Sequence, residues 1–367
     1  MNVKLFLFFI VVLLGLILGG GEDLKGQKRK WYVFIIISLL ILESCLRSIS
    51  VGPDTRGYFY DFLRIKYLTW TDVFSSFRTA YLEGEGKDIG YLVFVKLVQI
   101  ISMDFNVFLF VCALVFFVPL GFILYRYSTH MLQLVFAFSL YVVLFHIVAL
   151  SGIRQQVATG FSFMAFLQFG NKHHWRAILL IFLGSFIHIS LLFFLLLPLI
   201  KIVFPRWVKA IHLFSFATIP FAIIFASTII SFFASFLAND YYSVYGESES
   251  GGDAFTYIIL MELLSLFCFI AIKKQNIKDN PEIGLLYAVL PWVTMTVPLI
   301  SVNGAMIRIG QYFTLYMMLL VPMAIDAMFK FKVDRKVIYI SFITILILLN
   351  FNSGVFHYYF FWQEPQI

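Results

Sequence analysis

The stretch 105-FNVFLFVCALVFFVPLGFILY-125 decides the architecture. Between Asp104 and Arg126 it carries no charge, and a helix of about 20 residues rises far enough to cross a hydrocarbon core of about 30 Å. Similar apolar runs recur on both sides of it, at 3–20, 31–46, 89–103, 131–150, 156–170, 177–199, 211–235, 254–272, 283–301, 306–329 and 336–351. The bulk composition agrees: 61% of the 367 residues are hydrophobic, 19% aromatic and only 13% charged, with a mean hydropathy of +0.92. A soluble domain needs about a quarter of its residues charged to cover its surface. The expected fold is therefore all-α, a polytopic transmembrane bundle of about ten spans forming a single integral membrane domain over 1–367. Residues 3–20 read as the first span and not as a cleaved signal, because Lys4 alone is a weak basic region and Gly19-Gly20-Gly21-Glu22 is a poor cleavage site.

A net charge of +7 does not imply nucleic acid here, because the basic residues lie in short clusters between apolar runs. Such clusters mark cytoplasmic loops. The clearest are Lys25-Lys28-Arg29-Lys30, Lys273-Lys274-Lys278 and Lys330-Lys332-Arg335-Lys336. Counting back from them puts 302–305 outside, together with 236–253, which carries Asp240, Glu247, Glu249 and Asp253 and no Lys or Arg. Two runs do not fit as plain spans. The run 89–103 carries Lys96 and Gln99 in its middle and reads as an outer interfacial helix. The run 177–199 is basic at both ends and reads as a half-membrane hairpin broken near His188, with a single crossing as the alternative. With both adjustments, seventeen of the 27 Lys and Arg fall in cytoplasmic loops and both termini lie outside.

Several polar residues stand out against this background. Arg154, in the otherwise nearly continuous apolar stretch 145–158, would cost about 2.5–3.5 kcal/mol at membrane depth, so it is expected to face a cavity. Ser151 is placed to cap the helix that starts there, and free N–H groups plus a guanidinium suit phosphate or pyrophosphate. Arg308 follows Asn303-Gly304 at another outer helix start, with Gln311 and Tyr312 on its face at i+3 and i+4. His188, with Ser190 after it and Gly184 and Ser185 before it, marks a helix break that presents an imidazole. The long polar loop 47–88 balances six Lys/Arg with six Asp/Glu, and Gly52-Pro53-Asp54-Thr55 reads as a turn opening a helix. Asp54 or Thr55 can cap that helix, and the other reading of Asp54 is a carboxylate displayed near Arg47 and Arg56. His146 reads as core, and His173-His174 as an interfacial pair. Cys45, Cys112 and Cys268 are far apart, and no metal or cofactor motif accompanies them.

In order, Arg47…Gly52-x-Asp54-Thr55-x-x-Tyr58, Asp88-Ile89-Gly90-Tyr91, Ile153-Arg154-Gln155-x-x-Ala158, Phe186-x-His188-x-Ser190 and Arg308-x-x-x-Tyr312 resemble the EpsG family of Wzy-like exopolysaccharide and O-antigen polymerases. One departure is Asp88, where glutamate is expected. The resemblance implies a GT-C-like membrane glycosyltransferase in the bacterial inner membrane with its site facing the periplasm, the outer loop 47–104 contributing to the cavity. Its donor and acceptor would be oligosaccharides on undecaprenyl pyrophosphate, with a chain-length regulator as a further partner and no cofactor. Within that scheme Arg154 and Arg308 take the pyrophosphate, and His188, with Asp54 second, takes the acceptor proton. Arg47, Gln155, Tyr58, Ser190, Asp88, Tyr91 and Tyr312 line the substrate. Three other classes use similar residues: a lipid-linked glycan flippase or transporter, a membrane acyltransferase, and a single-sugar transferase using polyprenyl-phosphate donors. A transporter would often show internal repeats, and none is visible.

Overall fold

A computed structural model of the chain describes residues 3–19, 26–82, 88–236, 254–272, 280–301, 306–329, 332–352 and 358–363. Lys25, Lys273, Lys274, Lys278 and Lys330, and the segments 237–253 and 302–305 expected on the outside, lie outside the described residues. The first helices are α1 (Val3–Gly19), α2 (Gln27–Cys45), α3 (Thr55–Lys66), α4 (Trp70–Leu82), α5 (Ile89–Ile101) and α6 (Phe105–Tyr127). Next come α7 (Met131–Leu140), α8 (His146–Leu150), α9 (Ile153–Gly170), α10 (His174–Ile187), α11 (Leu196–Ile224) and α12 (Ala226–Phe236). The last are α13 (Ala254–Ile272), α14 (Pro281–Tyr287), α15 (Leu290–Thr296), α16 (Ile307–Thr314), α17 (Met317–Met328) and α18 (Lys332–Asn352). No strand occurs among the described residues; the one extended pairing is an isolated antiparallel bridge between Arg47 and Phe360. The chain divides into two compact units, residues 1–68, 91–164 and 325–367 in one and 69–90 and 165–324 in the other.

In the first unit, α2 packs along α6. Asp104 starts α6 by accepting the Asn106 N–H at 2.7 Å, and Asn106 Nδ2 donates to Cys45 O at 2.7 Å, which ties the start of α6 to the end of α2. The run 131–150 is one apolar rod in which Tyr141–Phe145 form a π-helical turn between α7 and α8. Such turns recur at functional sites. The expected interfacial helix is α5, and the residues that marked it have specific partners: Gln99 Nε2 donates to Phe62 O at 2.7 Å and Lys96 Nζ to Lys66 O at 3.2 Å. Lys96 thereby satisfies the carbonyl of the last residue of α3, which lacks an intrahelical donor, and Gln99 adds a second tie to the same end of the helix.

In the second unit, the run 177–199 does break at His188, whose extended backbone (φ −153°, ψ 111°) separates α10 from a 3₁₀ segment, Ile189–Leu195. That segment packs against α10. Further on, α11 kinks at Trp207, and α15 lies against α11, α13 and α16.

Among the described residues, five helical stretches are long and apolar enough to cross a membrane: Phe105–Tyr127, Met131–Leu150, Arg206–Ile224, Phe255–Ile272 and Pro281–Ser301. The pair α16 and α17, bent by 43°, makes a sixth if it counts as one span. Fewer stand out than the runs suggested for local reasons. The helix α1 has only 17 residues, α2 opens on Lys28-Arg29-Lys30, and 177–199 is interrupted. A second difference concerns the polar loop 47–88, which contains two helices, α3 and α4, of which the sequence signalled only the first.

Candidate functional site

In the first unit, the Gly52–Thr55 turn docks on the end of α8. Gly52 has φ +93°, and a Cβ there would lie 2.0 Å from Leu150 O. The Thr55 hydroxyl lies 2.7 Å from Val51 O and 3.3 Å from Leu150 O, and Arg47 Nη1 lies 3.3 Å from Ala149 O. Arg47 is 1% exposed, with Ser44 O and Ser44 Oγ each 2.8 Å from the same nitrogen. Burial pulls its guanidinium below its usual range, and the nearby Glu43 carboxylate opposes that shift. Asp54 occupies the N-cap position of α3 half-buried, but its side chain makes no capping bond; this corrects the capping expectation. Gly52→Ala should destabilise the protein by about 1–3 kcal/mol from backbone strain alone, before the clash with Leu150 is added. A wild-type melting curve in detergent for that variant would contradict the close approach.

The carbonyls of Ala149 and Leu150 immediately precede the turn that presents Arg154. Ser151 closes α8, its N–H donating to Ile147 O at 2.9 Å, so it does not cap the next helix. Gly152, at φ +59°, takes that place, and its carbonyl accepts the Gln156 N–H at 2.9 Å. Arg154 then stands in the first turn of α9 with 18% of its side chain exposed. Its guanidinium carbon lies 4.6 Å from the ring centre of Tyr91 and 5.7 Å from that of Tyr58, and the two rings meet edge to face at 5.8 Å. Nη2 reaches Asp61 Oδ2 at 3.4 Å. Three residues singled out from the sequence, Tyr58, Tyr91 and Arg154, thus form one cluster, while the adjacent Gln155 is buried. Asp61 was missed; its signal was its place three residues after Tyr58, on the same helical face. A guanidinium set over two aromatic rings and beside one partly exposed carboxylate is restrained in direction, and its planar fork suits an anion.

The second unit holds the other cluster. Asp88, at φ +52° with its side chain 2% exposed, sets its Oδ2 3.2 Å from His188 Nδ1 and its Oδ1 3.3 Å from the Ile189 N–H. One carboxylate therefore grips both the imidazole and the backbone beyond it, which holds the break at His188 open. Gly90 makes the approach possible, since a Cβ there would lie 2.5 Å from Phe186 Cβ and 2.7 Å from its carbonyl. The His188 side chain is 14% exposed. Accepting at Nδ1–H, the carboxylate selects the tautomer whose Nε2 carries a lone pair. Two residues on, Ser190 Oγ lies 3.1 Å from the buried Tyr312 hydroxyl, which joins the His-x-Ser element to the Arg-x-x-x-Tyr element. Arg308 is half-buried in the first turn of α16, on the same helix as Gln311 and Tyr312. Asp88 is thus a partner of His188, a pairing that the sequence did not reveal.

Among the described residues, no three His, Cys, Asp or Glu side chains gather as metal ligands would. No curated protein and no solved structure matches the chain. The EpsG family model does match, over residues 30–363, and so takes in both clusters: the chain belongs to the EpsG family, a family of Wzy-like polymerases.

Proposed function

We propose that this protein polymerises oligosaccharide repeat units carried on undecaprenyl pyrophosphate at the outer face of the bacterial inner membrane. The observation that carries the reading is Arg154, fixed by Tyr58, Tyr91 and Asp61 in the first turn of a helix that opens on Gly152. In the reaction, an acceptor sugar hydroxyl attacks the anomeric carbon of the donor, and the bond from that carbon to the pyrophosphate oxygen breaks. Charge develops on the departing pyrophosphate, and fixed cationic donors stabilise it best where water is scarce. Arg154 is assigned that task, with Arg308 as a second cation. The acceptor hydroxyl loses its proton to His188 Nε2, with Asp88 fixing the tautomer. Each cluster is assigned its chemistry on its own geometry. Arg47 and Asp54 belong to the segment that docks on the end of α8, and Ser190 and Tyr312 to the support of the 3₁₀ segment.

The same reading includes the finer architecture: about ten spans, a GT-C-like arrangement, a half-membrane hairpin over 177–199 and a chain-length regulator as partner. Under it, Lys172 and Lys209 both face the cytoplasm. Single cysteines at these exposed positions should resist an impermeant thiol reagent added outside the cell. Labelling at one and not the other would make 177–199 a plain crossing.

Deletion of the gene followed by analysis of lipid-linked glycans tests the function. Complete single repeat units on the lipid carrier are expected to accumulate at the outer face. Missing or truncated units would assign the protein to an earlier single-sugar step, and complete units retained at the inner face would assign it to flipping.

A further inference from the structure

The last described residues, Tyr358–Gln363, form a strap over the end of α2. The Ser48 N–H donates to Tyr359 O and the Phe361 N–H to Leu46 O, each at 2.9 Å, on either side of the Arg47–Phe360 bridge. The Tyr358 side chain turns inward, and its hydroxyl donates to Glu43 O at 2.6 Å. One turn of α2 therefore carries two attachments, because the Glu43 carboxylate also meets His146 Nε2 of α8 at 3.0 Å. Glu43, His146 and Arg47 are all buried, and a buried charge keeps its place only where its partners hold it. Arg47, four residues after Glu43, reaches Ala149 O at the other end of the same short helix. Strap, α2 and α8 are thus fastened together immediately before the Ser151–Gly152 turn.

We propose that Glu43 and Tyr358 are positioning residues that set the direction of Arg154 through α8, so that the C-terminal strap completes the first-unit cluster. Neither residue touches Arg154; both act on the segment that delivers it. The proposal rests on the reading of Arg154 as a pyrophosphate contact only for its effect on turnover, not for its effect on geometry.

The test uses the full-length protein in nanodiscs and compares wild type with Tyr358→Phe, Tyr358→Ala and Glu43→Gln. Modification of individual arginines by phenylglyoxal, followed by mass spectrometry, reads the geometry without substrate. Arg29, half-buried at the other end of α2 where it donates to Ser128 O and lies over Tyr125, serves as internal reference. The Arg154 rate should change at least threefold in Tyr358→Ala and Glu43→Gln, with Arg29 unchanged; general loosening of the fold would move both. With lipid-linked repeat units as substrate, loss of the single Tyr358 hydroxyl bond in Tyr358→Phe should lower kcat about two- to tenfold. KM should move less, because a misdirected guanidinium loses most where charge develops. An Arg154 rate equal to wild type in Tyr358→Ala and Glu43→Gln overturns the proposal. Should Tyr358→Ala fail to accumulate, wild-type Arg154 reactivity and turnover in Tyr358→Phe overturn it equally. Altered Arg154 reactivity in a protein whose wild type polymerises nothing would leave the positioning intact and reject the polymerase reading.

Discussion

Arg154→Lys is expected to lose most polymer output while the protein remains in the membrane at its normal level. Lysine keeps the positive charge, so a purely coulombic role would survive the exchange. What it cannot keep is the planar fork, which offers two parallel N–H donors to two phosphate oxygens and lies flat on an aromatic ring. Aromatic contact is already in use, since the guanidinium carbon lies over the Tyr91 and Tyr58 rings, and Asp61 meets one nitrogen. The Asp61 contact is long, at 3.4 Å, and the carboxylate is one-third exposed, so the pair itself contributes at most about 1 kcal/mol. Competition from Asp61 for an incoming pyrophosphate is therefore weak. Removing one donor from a charge-stabilising site usually costs about 10²- to 10³-fold in rate. A loss near the lower end of that range is expected for lysine, measured as the polysaccharide ladder from cells with matched membrane levels. Near-full output would rule out two-point binding by this residue. Normal abundance is also part of the prediction, because Arg154 stands at a helix start with part of its side chain exposed and lysine keeps its charge.

Helical periods and apolar lengths are local, and the fold was legible to the extent that it depends on them. The run 254–272 is α13, 131–150 is one rod, and 89–103 holds the helix α5, whose two polar residues bond to carbonyls of α3. What the runs concealed was interruption: the π turn at Tyr141–Phe145 and the Trp207 kink change no hydropathy. The site divides in the same way. Arg154 and His188 were conspicuous because charge and imidazole are costly in apolar sequence, and Tyr58 and Tyr91 entered through the motif. Their carboxylate partners were not. Asp61 lies 93 residues from Arg154 and Asp88 lies 100 from His188, in a segment where acids and bases alternate and no single acid stands out. Glu43 and His146, 103 residues apart, were invisible for the same reason, and a lone histidine in an apolar run was rightly read as buried without its partner being named. Long-range pairing in one chain leaves no local pattern.

The largest effect expected in the second unit is at His188, where both His188→Ala and His188→Gln should fall by at least about 10²-fold in turnover while still binding the lipid substrate, the lower end of what general-base assistance contributes. Asp88 makes the prediction sharper. Its Oδ1 is engaged by the Ile189 N–H, so in Asp88→Asn the carbonyl oxygen should stay on that donor and the amide nitrogen should turn to His188 Nδ1. An amide N–H facing Nδ1 demands a lone pair there, which moves the ring proton to Nε2 and leaves no base at the free nitrogen. Asp88→Asn should therefore lose turnover although the side chain keeps its shape and the His188 break keeps one of its two fastenings. A role confined to holding the break predicts the opposite, a variant close to wild type. Asp54→Asn is the control. Asp54 sits at the start of α3 with no capping bond from its carboxylate, so a turn residue there tolerates asparagine, whereas a base does not. Normal polymerisation by His188→Gln together with a dead Asp54→Asn would transfer the proton to Asp54 and reduce Asp88 and His188 to a fastening between the start of α5 and the end of α10.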